Sequence, residues 1–205
     1  ADGKKGIIDW SGRWQIPAEY DEILPLPDFS GAQYFRLTRD DAACLARVTA
    51  QGWRCSAFAD LSNCETARAC MTCGDGKCRR LDPDRLLPVG PAYDAVRSAQ
   101  RTGDLLVRIG ARWGYATESG RLVLPIDYQT IEKSGWPEHI AKVQRDERWG
   151  VADLRNGQLL VPVEYEALFI AGNGHYAIRR GGRWGIVRDG GHEVVAPQFN
   201  GLMRI

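Results

Sequence analysis

The chain of 205 residues carries 27 lysines and arginines against 26 acidic residues, so no overall field draws it to nucleic acid or to an anionic membrane surface. Its apolar fraction of 44% can build a core, while 23 glycines and 10 prolines favour many turns over long helices, which makes all-β the expected class. No run approaches the ~20 apolar residues that cross a bilayer, and residues 1–5 lack an apolar signal core. The Ala start without Met fits a mature terminus left by signal cleavage, as it fits a cloned fragment.

Taken in chain order, one pattern returns. Gly3-Lys4-Lys5-Gly6-Ile7-Ile8 is followed by Ser11-Gly12-Arg13 and then by Ile16-Pro17-Ala18-Glu19-Tyr20. Its second copy begins at Leu45-Ala46, reaches Gly52 after the same six-residue step, and resumes at Pro91-Ala92-Tyr93 beyond an insertion at about 56–87. The third reads as three strands, 105–109, 114–117 and 121–124, turning at Glu118-Ser119-Gly120. Trp113-Gly114, Trp149-Gly150 and Trp184-Gly185 then recur 36 and 35 residues apart. A fixed period of this size predicts a repeat architecture, with one domain over 1–205 and repeats at about 1–32, 33–97, 98–132, 133–168 and 169–205. Gly12, Gly52, Gly120 and Gly157 fall where a hairpin needs positive φ. Pro17, Pro125, Pro162 and Pro197 are expected to end the strand before them.

Arg-Trp-Gly, an apolar strand, a Ser-Gly or similar turn, an apolar-Pro step and a Tyr together resemble the WG (KWG) repeat family. The resemblance covers nearly the whole chain outside 56–87, with Lys5 in the Trp place of the first copy and Ala46 in the Gly place of the second. It implies a bacterial, mostly all-β protein that serves as a binding scaffold rather than an enzyme. Five meander repeats could close as a small propeller-like ring, the two termini completing one repeat, or remain an open twisted array.

Trp113, Trp149 and Trp184 are read as indoles packed between repeats, with a ladder of aromatic binding platforms as the other reading. Tyr20, Tyr93, Tyr128 and Tyr165, replaced by Phe199 in the last copy, are read as structural. The connections 24–31 and 133–138 hold Phe29 and Trp136 among turn-forming residues, which makes these two candidate partner contacts. All six cysteines, Cys44, Cys55, Cys64, Cys70, Cys73 and Cys78, lie in or beside the insertion. They are expected to form disulfides that staple a segment too poor in apolar residues for its own core, and so to mark an oxidising compartment, periplasmic or extracellular. The rival readings are zinc on Cys64, Cys70, Cys73 and Cys78, and a redox-active Cys-x2-Cys. Arg68, Lys77, Arg79, Arg80 and Arg85, interleaved with acidic residues, suit specific pairing with a protein.

The chain carries no zincin, nucleophile-elbow, P-loop or dinucleotide-binding pattern. His139 and His175 follow the repeat, His192 falls in a turn, and Glu19, Asp21, Glu22, Asp127, Glu164 and Glu166 read as a solvated face. The sequence therefore predicts a non-enzymatic, cofactor-free, secreted or periplasmic protein-binding scaffold. Its favoured form is an immunity protein or inhibitor occluding a secreted toxin such as an interbacterial lipase. A cell-wall carbohydrate-binding module and a structural subunit of an envelope assembly are the alternatives.

Overall fold

The computed structural model describes residues 3–27, 32–99, 103–134 and 137–201. β1 (Lys5–Ile8) and β2 (Trp14–Tyr20) form a hairpin, and five four-stranded meanders follow. The second sheet is β3 (Glu22–Leu26), β4 (Gln33–Arg39), β5 (Ala42–Thr49) and β6 (Gly52–Cys55). The third is β7 (Asp60–Ser62), β8 (Met71–Gly74), β9 (Lys77–Asp82) and β10 (Leu87–Tyr93). The fourth comprises β11 (Ala95–Ser98), β12 (Leu105–Ile109), β13 (Arg112–Ala116) and β14 (Leu122–Tyr128). The fifth comprises β15 (Thr130–Lys133), β16 (Ile140–Arg145), β17 (Arg148–Asp153) and β18 (Leu159–Tyr165). The sixth comprises β19 (Ala167–Gly172), β20 (His175–Arg180), β21 (Arg183–Arg188) and β22 (His192–Phe199). Every sheet is open, its strands paired in chain order. The chain divides into two compact units, residues 1–107 with 116–121 and residues 108–115 with 122–205.

The glycine of Trp-Gly exists for close approach. A Cβ on Gly150 would stand 2.7 Å from Val161 O, one on Gly185 2.5 Å from Val195 O, and one on Gly6 2.7 Å from Ile16 O. These carbonyls belong to the last strand of each sheet, which bulges there: Val151 faces Val161 while Trp149 faces Tyr165. Pro17, Pro125, Pro162 and Pro197 lie inside β2, β14, β18 and β22, so the strand runs on through the proline to the aromatic residue. The expectation that proline ends the strand is corrected: in a last strand with a bulge, the missing N–H leaves no partner unsatisfied.

The buried aromatic of the repeat is Tyr. Tyr20, Tyr93, Tyr128 and Tyr165 are 1% to 4% exposed, whereas Trp113, Trp149 and Trp184 are half-buried. Each indole is covered by its own sheet: the Arg108 guanidinium lies 5.6 Å from the Trp113 ring, Lys142 Nζ 4.6 Å from Trp149, and the Phe169 ring 5.5 Å from Trp184. A half-solvated position tolerates replacement, which explains how Lys5 takes it, facing Tyr20 as Trp149 faces Tyr165. Tyr165 packs instead with Val151 and Val161 of its own sheet and with Leu168, Tyr176, Ile178 and Val187 of the next. Burying such a side chain contributes roughly 1.5–3 kcal/mol.

The Cys-rich segment differs most from expectation. It supplies β7, β8 and β9, and β10 completes the sheet. It also has a core: Leu61, Ala67, Cys70, Leu81 and Leu86 pack with Leu26, Tyr34, Ala43 and Leu45 of the second sheet. Register shows it to be a repeat in its own right, with Cys78 facing Tyr93 as Trp149 faces Tyr165. The second sheet is in register two residues earlier than the sequence suggests. Leu37 faces Cys44 as Val143 faces Gly150, so Ala43-Cys44, rather than Leu45-Ala46, stands in the Trp-Gly place.

Candidate functional site

Three disulfides join Cys44 to Cys55, Cys64 to Cys70 and Cys73 to Cys78. The first spans β5 and β6. The third joins residues directly opposite each other on β8 and β9, across a two-residue turn whose Asp75 and Gly76 both have positive φ. The four sulfurs of the zinc reading are thereby shared between two bridges. Disulfide sulfurs lack the thiolate charge that zinc takes up.

Of the residues expected to meet a partner, Phe29 and Trp136 lie outside the described residues. The basic ones are divided rather than gathered. Strand alternation puts Lys77 and Arg79 on the exposed face of β9, beside a hollow of about 360 Å³ also lined by Thr72, Cys73, Gly74, Asp75, Pro88 and Ala92. Lys77 pairs with Asp94. Arg80 turns to the other face, against Met71, Val89 and Tyr93, and lies 2.9 Å from where a Cβ on Gly120 would be. Burial raises the Tyr93 hydroxyl pKa, and nearby Arg80 partly offsets it. Arg68 is half-buried in the connection after β7, and Arg85 is exposed in the turn before β10, where Asp82 accepts its backbone N–H at 2.9 Å.

Two surface features escaped sequence reasoning. A cleft of about 280 Å³ is lined by Arg47, Thr49, Gln51, Trp53, Arg54 and Asp84. Asp84 accepts a 3.1 Å hydrogen bond from the Tyr34 hydroxyl and pairs with Arg47 at 3.3 Å. The only signal in the sequence was Trp53 directly after the turn glycine Gly52. The N-terminal hairpin, meanwhile, presents Trp10 fully to solvent and leaves Trp14 and Ile8 more than half exposed. Asp9 fixes its turn by accepting from Ser11 Oγ at 2.6 Å, Ser11 N at 2.8 Å, Arg13 N at 3.0 Å and Gln15 Nε2 at 3.1 Å. The Ser11 hydroxyl, followed by the Arg13 amide, holds the Asp9 pKa down at about 2.

Asp21 and Glu166, two of the acidic residues that follow repeat register, share with Gln129 a use that spacing alone did not reveal. The residue after Tyr20, Tyr128 or Tyr165 accepts backbone N–H groups from the hairpin turn of the next sheet. Asp21 takes Asp40 N at 3.1 Å, Gln129 takes Glu147 N at 3.1 Å, and Glu166 takes Gly181 N at 2.8 Å and Gly182 N at 3.0 Å. These turns have positive φ at both central residues: Asp40 and Asp41, Asp146 and Glu147, Gly181 and Gly182. Their outward N–H groups need an acceptor. The Gly182 and Gly181 bonds lower the Glu166 pKa.

Residues 149–184 match the family model for the WG containing repeat. That segment is a WG repeat. The match runs from Trp149 on β17 to Trp184 on β21, one full period between equivalent indoles. No curated protein matches the chain. The histidines stand at or beside strand starts: His175 opens β20, its Nδ1 2.9 Å from Asn173 O, His139 precedes β16, and His192 opens β22.

Proposed function

We propose that this protein is a non-enzymatic binding scaffold of an oxidising compartment, the periplasm or the cell exterior, that occludes a protein partner. The form we favour is an immunity protein or inhibitor that covers the active-site entrance of a secreted toxin such as a lipase. The observation that carries this reading is the third sheet. It has the repeat's frame, but Trp-Gly has given way to Cys78-Arg79, the two inner strands are stapled beside their turn, and the exposed charges Lys77 and Arg79 flank a hollow. A braced surface of individual composition loses little entropy on docking and can bury the ~1,200–2,000 Å² of a stable complex. Disulfides fit a non-cytoplasmic location. Among the described residues no helix is long and apolar enough to cross a membrane.

The test is affinity capture from the native envelope with the wild-type protein and with Arg79→Glu. Deleting the Cys-rich segment would be uninformative, because it would remove core residues such as Leu61 and Leu81. The expected result is one enriched secreted enzyme with the wild type and its loss with the variant. Retention on purified peptidoglycan without any captured protein would favour the carbohydrate-binding alternative.

A further inference from the structure

Three residues after the glycine place of the repeat stands a side chain that in most sheets caps the turn before the last strand. Asp9 accepts Ser11 N at 2.8 Å, Asp82 accepts Asp84 N at 2.9 Å, Asp153 accepts Arg155 N at 2.9 Å, and the Thr117 hydroxyl accepts Arg121 N at 3.2 Å. The second and sixth sheets hold Arg47 and Arg188 there, and a guanidinium can only donate. Arg188 is exposed, whereas Arg47 is half-buried and lines the cleft of about 280 Å³ in the second sheet.

Arg54 faces Arg47 directly across the β5–β6 pair. Side chains so placed have Cβ atoms roughly 5 Å apart, so like charges there repel, and both guanidinium groups can reach one anion between them. Asp84 pairs with Arg47 at 3.3 Å. Among the described residues the Arg54 side chain has no ion pair or hydrogen bond, and Arg47 Nε is buried without a hydrogen-bond partner. The turn that brings Asp84 and Leu86 to the cleft is fixed. Asp82 accepts Asp84 N and Arg85 N, each at 2.9 Å, and Leu86, with φ 59°, is buried in the core with Tyr34 and Leu45. A leucine stays in that left-handed conformation only where its surroundings over-determine it. Among the lining residues, two guanidinium groups thus face a single carboxylate, which leaves one positive charge unmatched.

That charge, the donors and the size select the ligand. The forked donors of arginine match the two oxygens of a planar carboxylate. In the same field a dianion gains about twice the attraction but has roughly four times the hydration to lose, which favours a single charge. The cleft falls just below the ~300–1,000 Å³ of drug-sized ligand pockets, which suits a small acid or one side chain. We propose that this cleft binds a carboxylate, held between the guanidinium groups of Arg47 and Arg54. Its source is a small organic acid or an acidic side chain of another protein. The inference rests neither on the protein-binding reading nor on the face of β9.

The test titrates isotope-labelled protein with N-acetylglutamate amide, lactate, N-acetylglutamine amide and sulfate, following the Nε–H signals of Arg47 and Arg54 by NMR. A carboxylate should shift both signals saturably with a roughly millimolar Kd, sulfate should bind about fivefold more weakly, and the glutamine compound should not bind. Arg54→Gln and Arg54→Lys should each weaken carboxylate binding about tenfold, because lysine keeps the charge but loses the fork. Arg54 is exposed, so both variants should keep the wild-type amide spectrum. Tighter binding of the glutamate compound than of lactate would assign the site to a protein side chain, and the reverse order to a free acid. The proposal is overturned if no carboxylate gives a saturable shift or if sulfate binds as tightly as either carboxylate. Full affinity in Arg54→Lys would overturn it too, by showing general charge attraction in place of a site.

Discussion

The second and third sheets and the fifth and sixth solve one geometric problem in two ways. In β17 and β21 a glycine removes the side chain that would meet a last-strand carbonyl, and the last strand runs unbroken to its aromatic residue. In β5 the same register position is Cys44, and β6 is only four residues long, ending at the cysteine bonded to it. In β9 the position is Arg79, and on β10 Gly90 with φ 75° stands where β18 has Pro162. A sheet that loses the close approach is thus held by a covalent bridge or by a more permissive opposing strand. The comparison teaches that Trp-Gly is a backbone device before it is an aromatic one.

The sharpest way to break the distinction is Gly150→Val, which gives the fifth sheet a side chain without a bridge. Overpacking against Val161 O and the Val163 side chain should cost about 3 kcal/mol, read from denaturant unfolding. Removing a bridge instead, with Cys44→Ala and Cys55→Ala together, should cost roughly 2–3 kcal/mol by the chain-entropy model. Faster amide exchange should then centre on β5 and β6. Reducing agent should lower the wild-type melting temperature but leave a variant lacking all three bridges unmoved.

A smaller effect is expected from Tyr176→Phe. The hydroxyl donates to Asp189 at 2.7 Å, and its pKa is raised, first by burial and then by that carboxylate. Losing the bond should cost about 1 kcal/mol in thermal unfolding. Tyr34→Phe in the stapled region should cost no more, because Asp84 keeps Arg47 as a partner. The smallest effect belongs to Glu166→Gln. The folded protein holds the Glu166 pKa below its unfolded value, so the stabilisation is present above the unfolded pKa and is lost as pH falls through the folded one. The variant should melt slightly lower at neutral pH, and the difference should vanish in acid. A gap that persists there would show that the carboxylate's charge is not what caps the turn.

The last three sheets were legible because Trp113, Trp149 and Trp184 kept the period visible, and the positive-φ glycines at 12, 52, 120 and 157 fell where the turns required them. The second and third sheets were misread for a physical reason. Cysteine and arginine in the Trp-Gly places erase the letters while preserving the register, which is fixed by backbone pairing and by Tyr93. The Cys-rich segment seemed too poor in apolar residues because its core is shared with Tyr34 and Leu45 of the preceding sheet. The surface was least legible. Trp10 stands exposed on a turn that Asp9 fixes, and Lys77, Arg79 and Arg80 are separated by strand alternation, neither of which spacing along the chain reveals.

The side-chain latch on these turns has a directional consequence. Asp21 precedes Asp40, Gln129 precedes Glu147, and Glu166 precedes Gly181, so the acceptor is made before the turn that needs it. As the chain emerges from its N-terminus, at the roughly 5–20 residues per second of synthesis, each new hairpin meets a cap already in place. Within each unit, assembly is then vectorial: a repeat organises the turn of its successor.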